Sequence, residues 1–264
     1  LRSQGATPVR ASLFDREALV QAFAGHDAVV NLASALPPPA RFMFRSAWRD
    51  CERVRTDGSA AVVDAAQEVG VPRLIQESVV MIYRDAGSRW ITEDAPVDRY
   101  PIAAGNHAAE ASAGRFGSTG GTAVILRFGL FYGLGAAHSE QILALARRHV
   151  GFVGGRGDTF MSSIHLTDAA TAVAAALESP AGTYNIVDDE PVTKRENAVA
   201  IGAAVGATPR LTLPGRAALL LGDRATSLTR SLRVSNGGFR AVTGWQPRYP
   251  SVREGYRTMV GRRG

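Results

Sequence analysis

Short apolar runs alternate with helical stretches through the first half of the chain, and this alternation constrains its fold more than any other feature. Strands are predicted at 7–10, 28–32, 73–78 and 123–127, and helices at 16–24, 48–69 and 103–116. The run at 28–32, AVVNL, has the continuous apolar character of a strand buried on both faces. Strands joined by helices form a parallel sheet with helices packed against it. The order therefore predicts an α/β fold.

The second half of the chain has a looser pattern. The glycine-rich segment GFVGGRGD leads into SSIHLTDAATAVAAALESP, which indicates a strand end that feeds a helix. Thr193 followed by Glu196 is the spacing of a capping box, so a further helix is predicted to begin there. We expect a first domain over 1–135 and a smaller C-terminal α/β lobe over 136–264, with 160–177 returning to the first domain.

The chain is basic, with a formal net charge of +6 and an isoelectric point near 10.1. Binding to nucleic acid by charge requires basic residues gathered into a patch or stripe. The arginines are instead spread from Arg2 to Arg263, with brief doublets such as Arg147–Arg148, and Lys194 is the only lysine. We therefore predict no nucleic-acid partner.

Composition also bears on compartment and metal content. No apolar run approaches the roughly 18 residues that cross a bilayer, and the first residues do not resemble a signal peptide. Cys51 is the single cysteine, which excludes an internal disulfide and a cysteine-based zinc site. The five histidines lack metal-ligand spacing. We predict a cytoplasmic protein without membrane association or metal.

Six segments resemble, in order, landmarks of the extended short-chain dehydrogenase/reductases, the NAD-dependent epimerase/dehydratase group. They are HDAVVNLASALP, VVDAAQEVGVPRLIQESVVMIY, VILRFGLFYG, SSIHLTDAATAVAAALE, TYNIVDDEPVT and FRAVTGWQPRYPSVREGYR. Because the matches span nearly the whole chain, they are specific to the fold. The resemblance implies a Rossmann-like, doubly wound parallel sheet with a smaller C-terminal lobe, NAD or NADP as cofactor, a small-molecule substrate, and a homodimer paired through the helices near 48–69 and 103–116.

The residues that carry the family's chemistry are replaced in this chain. In the family a serine or threonine and a tyrosine bind the substrate oxygen, while a lysine lowers the pKa of the tyrosine and holds the nicotinamide ribose. Without such a cation, a phenol with a pKa of about 10 is a poor acid-base group at neutral pH. Alignment puts Val79 at the serine and Ile102 at the tyrosine. It puts Asn106 at the lysine and Arg55 at an asparagine of the long helix.

Four other side chains are weak candidates for acid-base chemistry. Tyr100 lies two residues before the aligned tyrosine, but four residues further on stands Ala104 rather than a lysine. Tyr83 matches the tyrosine of a turn, where packing is the alternative role. His107 is a candidate because the imidazole side chain is a common acid-base group in enzymes, with a surface or interface position as its alternative. Glu77 ends the strand that would face the cofactor, with a structural hydrogen bond as its alternative.

Cofactor and substrate contacts are implied by the same resemblance. The cofactor residues are Ser12, Leu13, Ala33, Ser34, Gln76, Glu77, Ser78, Phe128, Gly129 and Leu130. The substrate pocket is expected to include Val79, Ile102, Asn106 and His138. The glycine-rich turn that binds a pyrophosphate is not found in the sequence, which begins at what corresponds to the third strand of the family, so we expect the native chain to be longer.

Three functional hypotheses follow. The first is an NAD(P)-dependent oxidoreductase or epimerase/dehydratase-like protein that acts on a small molecule with non-standard catalytic residues. The second is a non-catalytic NAD(P)-binding sensor or partner protein, because the scaffold is retained while the chemical positions are replaced. The third is a cofactor-free lyase or isomerase. Dinucleotide binding and turnover, measured together, separate the three.

Overall fold

A computed structural model of the chain describes residues 2–38, 41–42, 44–153, 155–208, 211–213 and 226–260. The strands are β1 Val29–Asn31, β2 Arg73–Val79, β3 Trp90–Ile91, β4 Thr122–Phe128, β5 Leu130–Tyr132, β6 Val150–Phe152, β7 Phe160–Met161, β8 Ser163–His165, β9 Gly182–Ile186, β10 Val192–Thr193, β11 Leu211–Leu213 and β12 Arg233–Val234. The helices are α1 Arg16–Phe23, α2 Arg49–Arg53, α3 Ser59–Glu68, α4 Ala104–Ser118, α5 Ala137–Arg147, α6 Leu166–Ala176, α7 Lys194–Ala204, α8 Thr226–Thr229, α9 Gly237–Thr243 and α10 Val252–Val260.

A parallel sheet in the order β1-β2-β4-β9 forms the centre of the fold. β2 pairs with β4 along its whole length and ends with Val79 opposite Phe128. Successive side chains of a strand point to opposite faces. Leu74 accordingly packs with α1, α3 and α4 on one face, and Ile75 packs with α6 and α9 on the other. The predicted α/β class with a parallel sheet is confirmed.

One predicted strand does not form. Residues 6–12 have no regular secondary structure, so the strand expected at 7–10 is wrong. A strand is stable only when its backbone is paired, and among the described residues β1 pairs with β2 alone. Pro8 also lacks an N–H group to donate. The other strands and helices predicted in the first half form, with ends that differ by at most two residues.

The long helix predicted over 48–69 contains a π-helical segment. α2 passes into a π-helix at Val54–Gly58, and α3 continues from it. A π-helical turn is wider than an α-helical turn and is frequent at functional sites. Arg55 lies in this segment and is only 3% exposed. The local widening of the helix thus coincides with a buried charge.

The C-terminal lobe has its own apolar core. α5, α7 and α10 pack together, with Leu143, Ile201 and Tyr256 among the buried residues. The predicted capping box is present, because the Thr193 hydroxyl accepts from the backbone N–H of Glu196 and the Glu196 carboxylate accepts from that of Thr193. α6 packs instead on the central sheet, after β8 has paired with β5.

The described ranges contain neither a candidate membrane-spanning helix nor a candidate metal cluster. None of their helices is both long enough and apolar enough to span a membrane. They also contain no group of three or more His, Cys, Asp or Glu side chains arranged to hold a metal ion. Cys51, on α2, is buried.

Candidate functional site

β1, β2 and β4 end at one edge of the sheet, which is where ligands bind in parallel sheets of this kind. Ala33 and Ser34 follow β1 at this edge; Ala33 is half-buried and Ser34 is exposed. Ser12 and Leu13 lie in the loop before α1. Ser12 is exposed and its hydroxyl accepts from the backbone N–H of Phe14 at 3.2 Å, while Leu13 is half-buried. These four predicted cofactor residues keep surface that a ligand can contact.

Gln76 is tied into the sheet. Asn31 Nδ2 donates to Gln76 Oε1 at 2.9 Å, and Gln76 Nε2 donates to the backbone oxygen of Glu77 at 2.9 Å. Asn31 Nδ2 also donates to Ser59 Oγ at 3.3 Å, which joins β1 and β2 to α3. Because both ends of its amide are paired within the protein, the Gln76 side chain stabilises the sheet.

Gly129 allows a close crossing of the chain after β4. A Cβ atom at this position would lie 2.8 Å from the backbone oxygen of Ser162, which no side chain permits. Phe128, before it, is buried in the core of the sheet, and Leu130, after it, is 47% exposed. The segment therefore forms a fixed wall at the ligand-binding edge, with one apolar side chain facing outwards.

Arg55, Glu77 and Asn106 form a buried group that we name the Arg55 cluster. Arg55 Nη2 donates to Glu77 Oε1 at 2.7 Å, and Arg55 Nη1 donates to Asn106 Oδ1 at 3.2 Å. The three residues are 3%, 5% and 2% exposed. They come from the π-helical segment, β2 and α4, respectively. The cluster therefore joins two helical segments to the end of the central strand.

Each side chain of the Arg55 cluster has one buried atom without a hydrogen-bond partner in the part of the chain that the structure describes. These atoms are Arg55 Nε, Glu77 Oε2 and Asn106 Nδ2. Burial raises the pKa of Glu77, and the charge and hydrogen bond of Arg55 oppose that rise. A buried polar atom left unpaired costs about 1–3 kcal/mol. Three in one cluster show that its buried polar groups are only partly satisfied within the described residues.

A second group, which we name the Arg127 cluster, contains Ser78, Tyr83, Glu110 and Arg127. Arg127 binds Glu110 through two parallel hydrogen bonds, Nε to Oε1 and Nη2 to Oε2, each 2.8 Å. Arg127 Nη1 donates to the Tyr83 hydroxyl at 2.8 Å, and Ser78 Oγ donates to Glu110 Oε1 at 2.6 Å. The Tyr83 hydroxyl in turn donates to Asn185 Oδ1 at 2.8 Å, although Asn185 Nδ2 has no hydrogen bond to any described residue. The predicted cofactor residue Ser78 is thus held in an internal network.

Neither candidate phenol is prepared for proton transfer. Tyr83 is fully buried, and burial raises its pKa although Arg127 opposes the rise. The Tyr100 hydroxyl donates to the backbone oxygen of Met81 at 2.9 Å, and the Arg230 guanidinium lies 4.7 Å from the centre of its ring. Burial raises the pKa of Tyr100 to about 12. Both shifts run opposite to the change that would make a phenol a catalytic base.

His107 is also used locally. Its Nε2 lies 2.9 Å from the backbone oxygen of Asp98, so this nitrogen is the donor. The Asp98 carboxylate accepts from Arg230, which also donates to the backbone oxygen of Tyr83 at 2.6 Å. The imidazole therefore helps to fix the segment before α4 rather than standing free in a pocket.

The aligned substrate positions form an apolar wall. Val79 and Ile102 are half-buried and pack with Tyr100 in one hydrophobic cluster, so the structure brings together the positions of the family's serine and tyrosine. His138 lies on α5, and its Nε2 is 2.6 Å from the backbone oxygen of Phe131. A substrate at Val79 and Ile102 meets methyl groups where relatives with the full motif present hydroxyls.

A family model described as the NAD dependent epimerase/dehydratase family matches residues 2–187. The chain belongs to this family. A relative from a Streptomyces species, named 3-diazoavenalumate denitrifying reductase, is 34% identical over 265 residues, covering 94% of this chain and 84% of its own. An epimerase family protein from Mycobacterium bovis is 30% identical and covers 80% of this chain and 73% of its own. The resemblance drawn from the sequence is confirmed.

Solved structures show the same fold. Human epimerase family protein SDR39U1 with NADPH has a TM-score of 0.81 at 24% identity, covering 92% of this chain and 86% of its own. Thermus thermophilus UDP-glucose 4-epimerase with NAD has a TM-score of 0.75 at 24% identity, covering 98% and 85%. The Rossmann-like architecture is confirmed. The family is NAD-dependent, and the nicotinamide dinucleotide predicted from the resemblance is its cofactor.

The described residues fit the nicotinamide end of such a cofactor. Asn106, whose buried Nδ2 has no hydrogen bond to a described residue, is aligned with the family's ribose-binding lysine. Ala33 and Ser34 offer accessible surface at the carboxyl end of β1. The Gly129 crossing supplies a rigid wall after β4.

Sequence reasoning missed the partners of Arg55 and Glu77. It aligned Arg55 with an asparagine and weighed Glu77 alone, although both lie in segments with buried patterning. A charge predicted to be buried needs a partner of opposite sign. Two charges of opposite sign in segments predicted to be buried were the signal that could have revealed the Arg55–Glu77 pair. Arg127 lies within the matching segment VILRFGLFYG, but neither it nor Glu110 was predicted to belong to a site.

Proposed function

We propose that this protein is an NAD(P)H-dependent reductase that delivers hydride to an electrophilic small molecule without the tyrosine-lysine proton relay of its relatives. One observation carries the proposal: Tyr83 and Tyr100 both donate to fixed acceptors, and burial raises the pKa of both. A general acid or base works best with a pKa near the operating pH. These two phenols remain protonated and occupied at neutral pH.

The residues at the substrate position act by contact and by excluding water. Val79 and Ile102 present an apolar wall supported by Tyr100. Such a wall packs against an aromatic or alkyl group and offers no hydroxyl to an oxyanion. The nearby guanidinium of Arg55 is neutralised by Glu77 and supplies no free cation to a phenolate. The wall therefore favours a substrate whose reduction requires hydride alone.

A diazo compound meets this requirement. The Streptomyces relative is named as a denitrifying reductase of such a compound. When bound, the reduced nicotinamide supplies a hydride, and a diazonium carbon that accepts it releases dinitrogen with the electron pair of the broken C–N bond. That exchange consumes no proton. A ketone, by contrast, becomes an alkoxide that must be protonated, the task of the family's tyrosine. We propose an aryl diazo compound in its diazonium form as the substrate.

The test compares two classes of hydride acceptor. NADH and NADPH oxidation is measured with an arenediazonium salt and, separately, with an aldehyde and a ketone, each against the enzyme-free rate. Cofactor deuterated at the hydride position should place deuterium on the ring, with one equivalent of dinitrogen released. Unlabelled cofactor in deuterated water should place none. Turnover confined to the carbonyl compounds contradicts the proposal, and dinucleotide binding without any turnover favours the sensor hypothesis.

A further inference from the structure

An open cavity lies beside the loop that follows β1, and we name it the Arg41 cavity. Its volume is about 420 Å³, which is within the range of about 300–1,000 Å³ that is common for small-molecule sites. The loop supplies the apolar side chains of Leu36 and Pro37 together with Arg41. The helical residues that come next in the chain supply Arg49 and Asp50. The cavity therefore combines an apolar surface with charged side chains that solvent can reach.

Hydrogen bonds hold the two sides of the Arg41 cavity together. The buried Trp48 indole donates from Nε1 to the backbone oxygen of Phe42 at 2.7 Å, and the centres of the two aromatic rings lie 4.7 Å apart. The backbone N–H of Arg41 donates to the backbone oxygen of Pro38 at 2.8 Å. The loop that carries Arg41 is thus attached to the helical residues on the other side of the cavity.

The Arg41 cavity adjoins the proposed substrate position. Leu36 follows β1 by five residues, at the ligand-binding edge of the sheet. On the other side of the cavity α2 begins, and it packs against the start of α4. A Cβ atom at Gly105 of α4 would lie only 3.4 Å from the Cα atom of Glu52 in α2. Gly105 is three residues after Ile102 of the apolar wall, so the α2–α4 contact connects the cavity with that wall.

Arg41 and Arg49 keep their guanidinium groups available. Both side chains are exposed, and neither forms an ion pair with a residue that the structure describes. Arg49 Nε donates to the backbone oxygen of Ser46 at 3.3 Å, which leaves its two terminal nitrogens for a ligand. Asp50 is the single carboxylate among the described lining residues. Two cations and one anion give the cavity a net positive charge, and a guanidinium binds a carboxylate through two parallel hydrogen bonds.

We propose that the Arg41 cavity binds a carboxylate carried by the substrate, at the end remote from the carbon that accepts hydride. This inference rests on the proposed function, since it assigns the two ends of one substrate molecule. Val79 and Ile102 contact the ring that bears the diazonium group, and Arg41 and Arg49 bind the carboxylate. Leu36 packs against the chain between them. The substrate class is therefore an aryl-substituted carboxylic acid with a diazonium group on the ring.

The charges at the two ends of such a substrate fix the direction in which it binds. The arginines attract the carboxylate and repel the cationic diazonium group, so the reverse orientation is disfavoured. The carboxylate takes no part in the reaction, and its contacts are the same in the ground state and in the transition state. Losing such a contact raises KM and leaves kcat unchanged. Arg41 and Arg49 are thus specificity-determining residues rather than catalytic residues.

The test uses two substrates of the same shape that differ in charge. They are a benzenediazonium salt with a propanoate chain in the para position and the corresponding propanamide. For the wild type, KM should be about tenfold lower for the propanoate, while kcat is the same for both. Arg41→Gln and Arg49→Gln should each reduce this preference by about threefold through a higher KM for the propanoate. Initial rates of cofactor oxidation measure both constants.

Arg45→Gln is the matched control. Arg45 is an exposed arginine of the same segment, but it does not line the Arg41 cavity. Its replacement removes the same charge and should leave the preference for the propanoate unchanged. Asp50→Asn, which removes the carboxylate of the lining, should increase the preference by about twofold. An unchanged preference in Arg41→Gln and Arg49→Gln, or an equal loss in Arg45→Gln, overturns the carboxylate site.

Binding of unreactive ligands separates a failure of this site from a failure of the proposed function. Isothermal titration calorimetry with phenylpropanoate and phenylpropanamide, in the presence of NADPH or NADH, requires no turnover. Tighter binding of the propanoate that Arg41→Gln and Arg49→Gln abolish supports the site, even if no diazonium salt is reduced and the proposed function fails. Turnover of both diazonium salts with equal KM overturns the carboxylate site alone. Weaker binding of the dinucleotide in the two variants, with an unchanged preference for the propanoate, assigns the arginines to a cofactor phosphate and also overturns it.

Discussion

The Arg55 and Arg127 clusters both contain residues of β2 and α4, but they differ in whether their buried polar atoms are hydrogen-bonded. β2 supplies Glu77 to one and Ser78 to the other, and α4 supplies Asn106 and Glu110, one helical turn apart. Each contains a buried arginine-glutamate pair. In the Arg127 cluster no buried atom of its four side chains is unpaired within the described residues, whereas the Arg55 cluster leaves three unpaired.

This difference separates a network whose buried polar atoms are satisfied from one that is only partly satisfied. A buried ion pair stabilises a fold only when hydrogen bonds satisfy its remaining atoms. The Arg127 cluster meets that condition through its two parallel bonds and through the hydroxyls of Ser78 and Tyr83. The Arg55 cluster does not, so part of the cost of burying it is not offset by hydrogen bonds within the described residues.

Removing one partner from the Arg127 cluster should cause the largest loss of stability. Glu110→Ala leaves the Arg127 charge buried and unpaired, and we expect the free energy of unfolding to fall by about 3–5 kcal/mol. Urea denaturation monitored by tryptophan fluorescence measures it. Glu178→Ala, at an exposed position, is the control and should change stability by less than about 0.5 kcal/mol. A loss below about 1 kcal/mol for Glu110→Ala would show that the cluster is not a structural network.

Tyr83→Phe tests whether a phenol of the Arg127 cluster is structural or catalytic. The substitution removes the donor to Asn185 and the acceptor of Arg127, so stability should fall by about 2 kcal/mol. Hydride transfer should retain its wild-type rate at saturating substrate. Tyr249→Phe, whose hydroxyl makes no hydrogen bond with the described residues, should change neither. A hundredfold loss of rate at unchanged stability would instead restore Tyr83 as an acid-base group.

The central sheet could be predicted from the sequence because its signals are local. The apolar runs of β1, β2 and β4 and the helical periods between them each lie within one segment, and their order dictates parallel pairing. The strand expected at 7–10 failed for the opposite reason. A strand depends on a partner elsewhere in the chain, and its own residues do not show whether that partner is present.

The candidate site was only partly predictable, because it is formed by contacts between segments that lie far apart in the sequence. Alignment located Arg55, Val79 and Asn106 as departures from the family pattern. It could not show that Arg55 pairs with Glu77, 22 residues further along, nor that a π-helical segment presents it. The sequence of β2 likewise did not show that one carboxylate oxygen of Glu77 lacks a hydrogen bond to any described residue, whereas the hydroxyl of Ser78 has one.

Replacing both members of each ion pair should sharpen the comparison. In the Arg55 cluster, Arg55→Met with Glu77→Leu removes a pair with unpaired atoms, and we expect stability to stay within about 1 kcal/mol of the wild type or to rise. The matching double substitution, Arg127→Met with Glu110→Leu, should cost about 2 kcal/mol because hydroxyl groups lose their partners. Chemical denaturation of the wild type and the two double variants checks both values. Equal costs in the two clusters would remove the distinction between them.

The smallest expected effect is a pH dependence carried by Glu77. Burial raises its pKa in the folded protein above the ordinary value of 4.5, and Arg55 offsets only part of that rise. As the pH increases above 4.5, the unfolded chain therefore loses this proton before the folded protein does. The folded state holds more protons in that window, so the contribution of Glu77 to the free energy of unfolding decreases as the pH rises towards the folded pKa.

Glu77→Gln cannot titrate, and its stability relative to the wild type should rise with pH across the same window. Denaturation midpoints measured at several pH values give the two slopes, and Glu178→Gln, at an exposed position, should follow the wild type. Parallel slopes for Glu77→Gln and the wild type would mean that Arg55 holds Glu77 at its ordinary pKa. The Arg55 cluster would then resemble the Arg127 cluster in its electrostatics, and only its unpaired atoms would still set it apart.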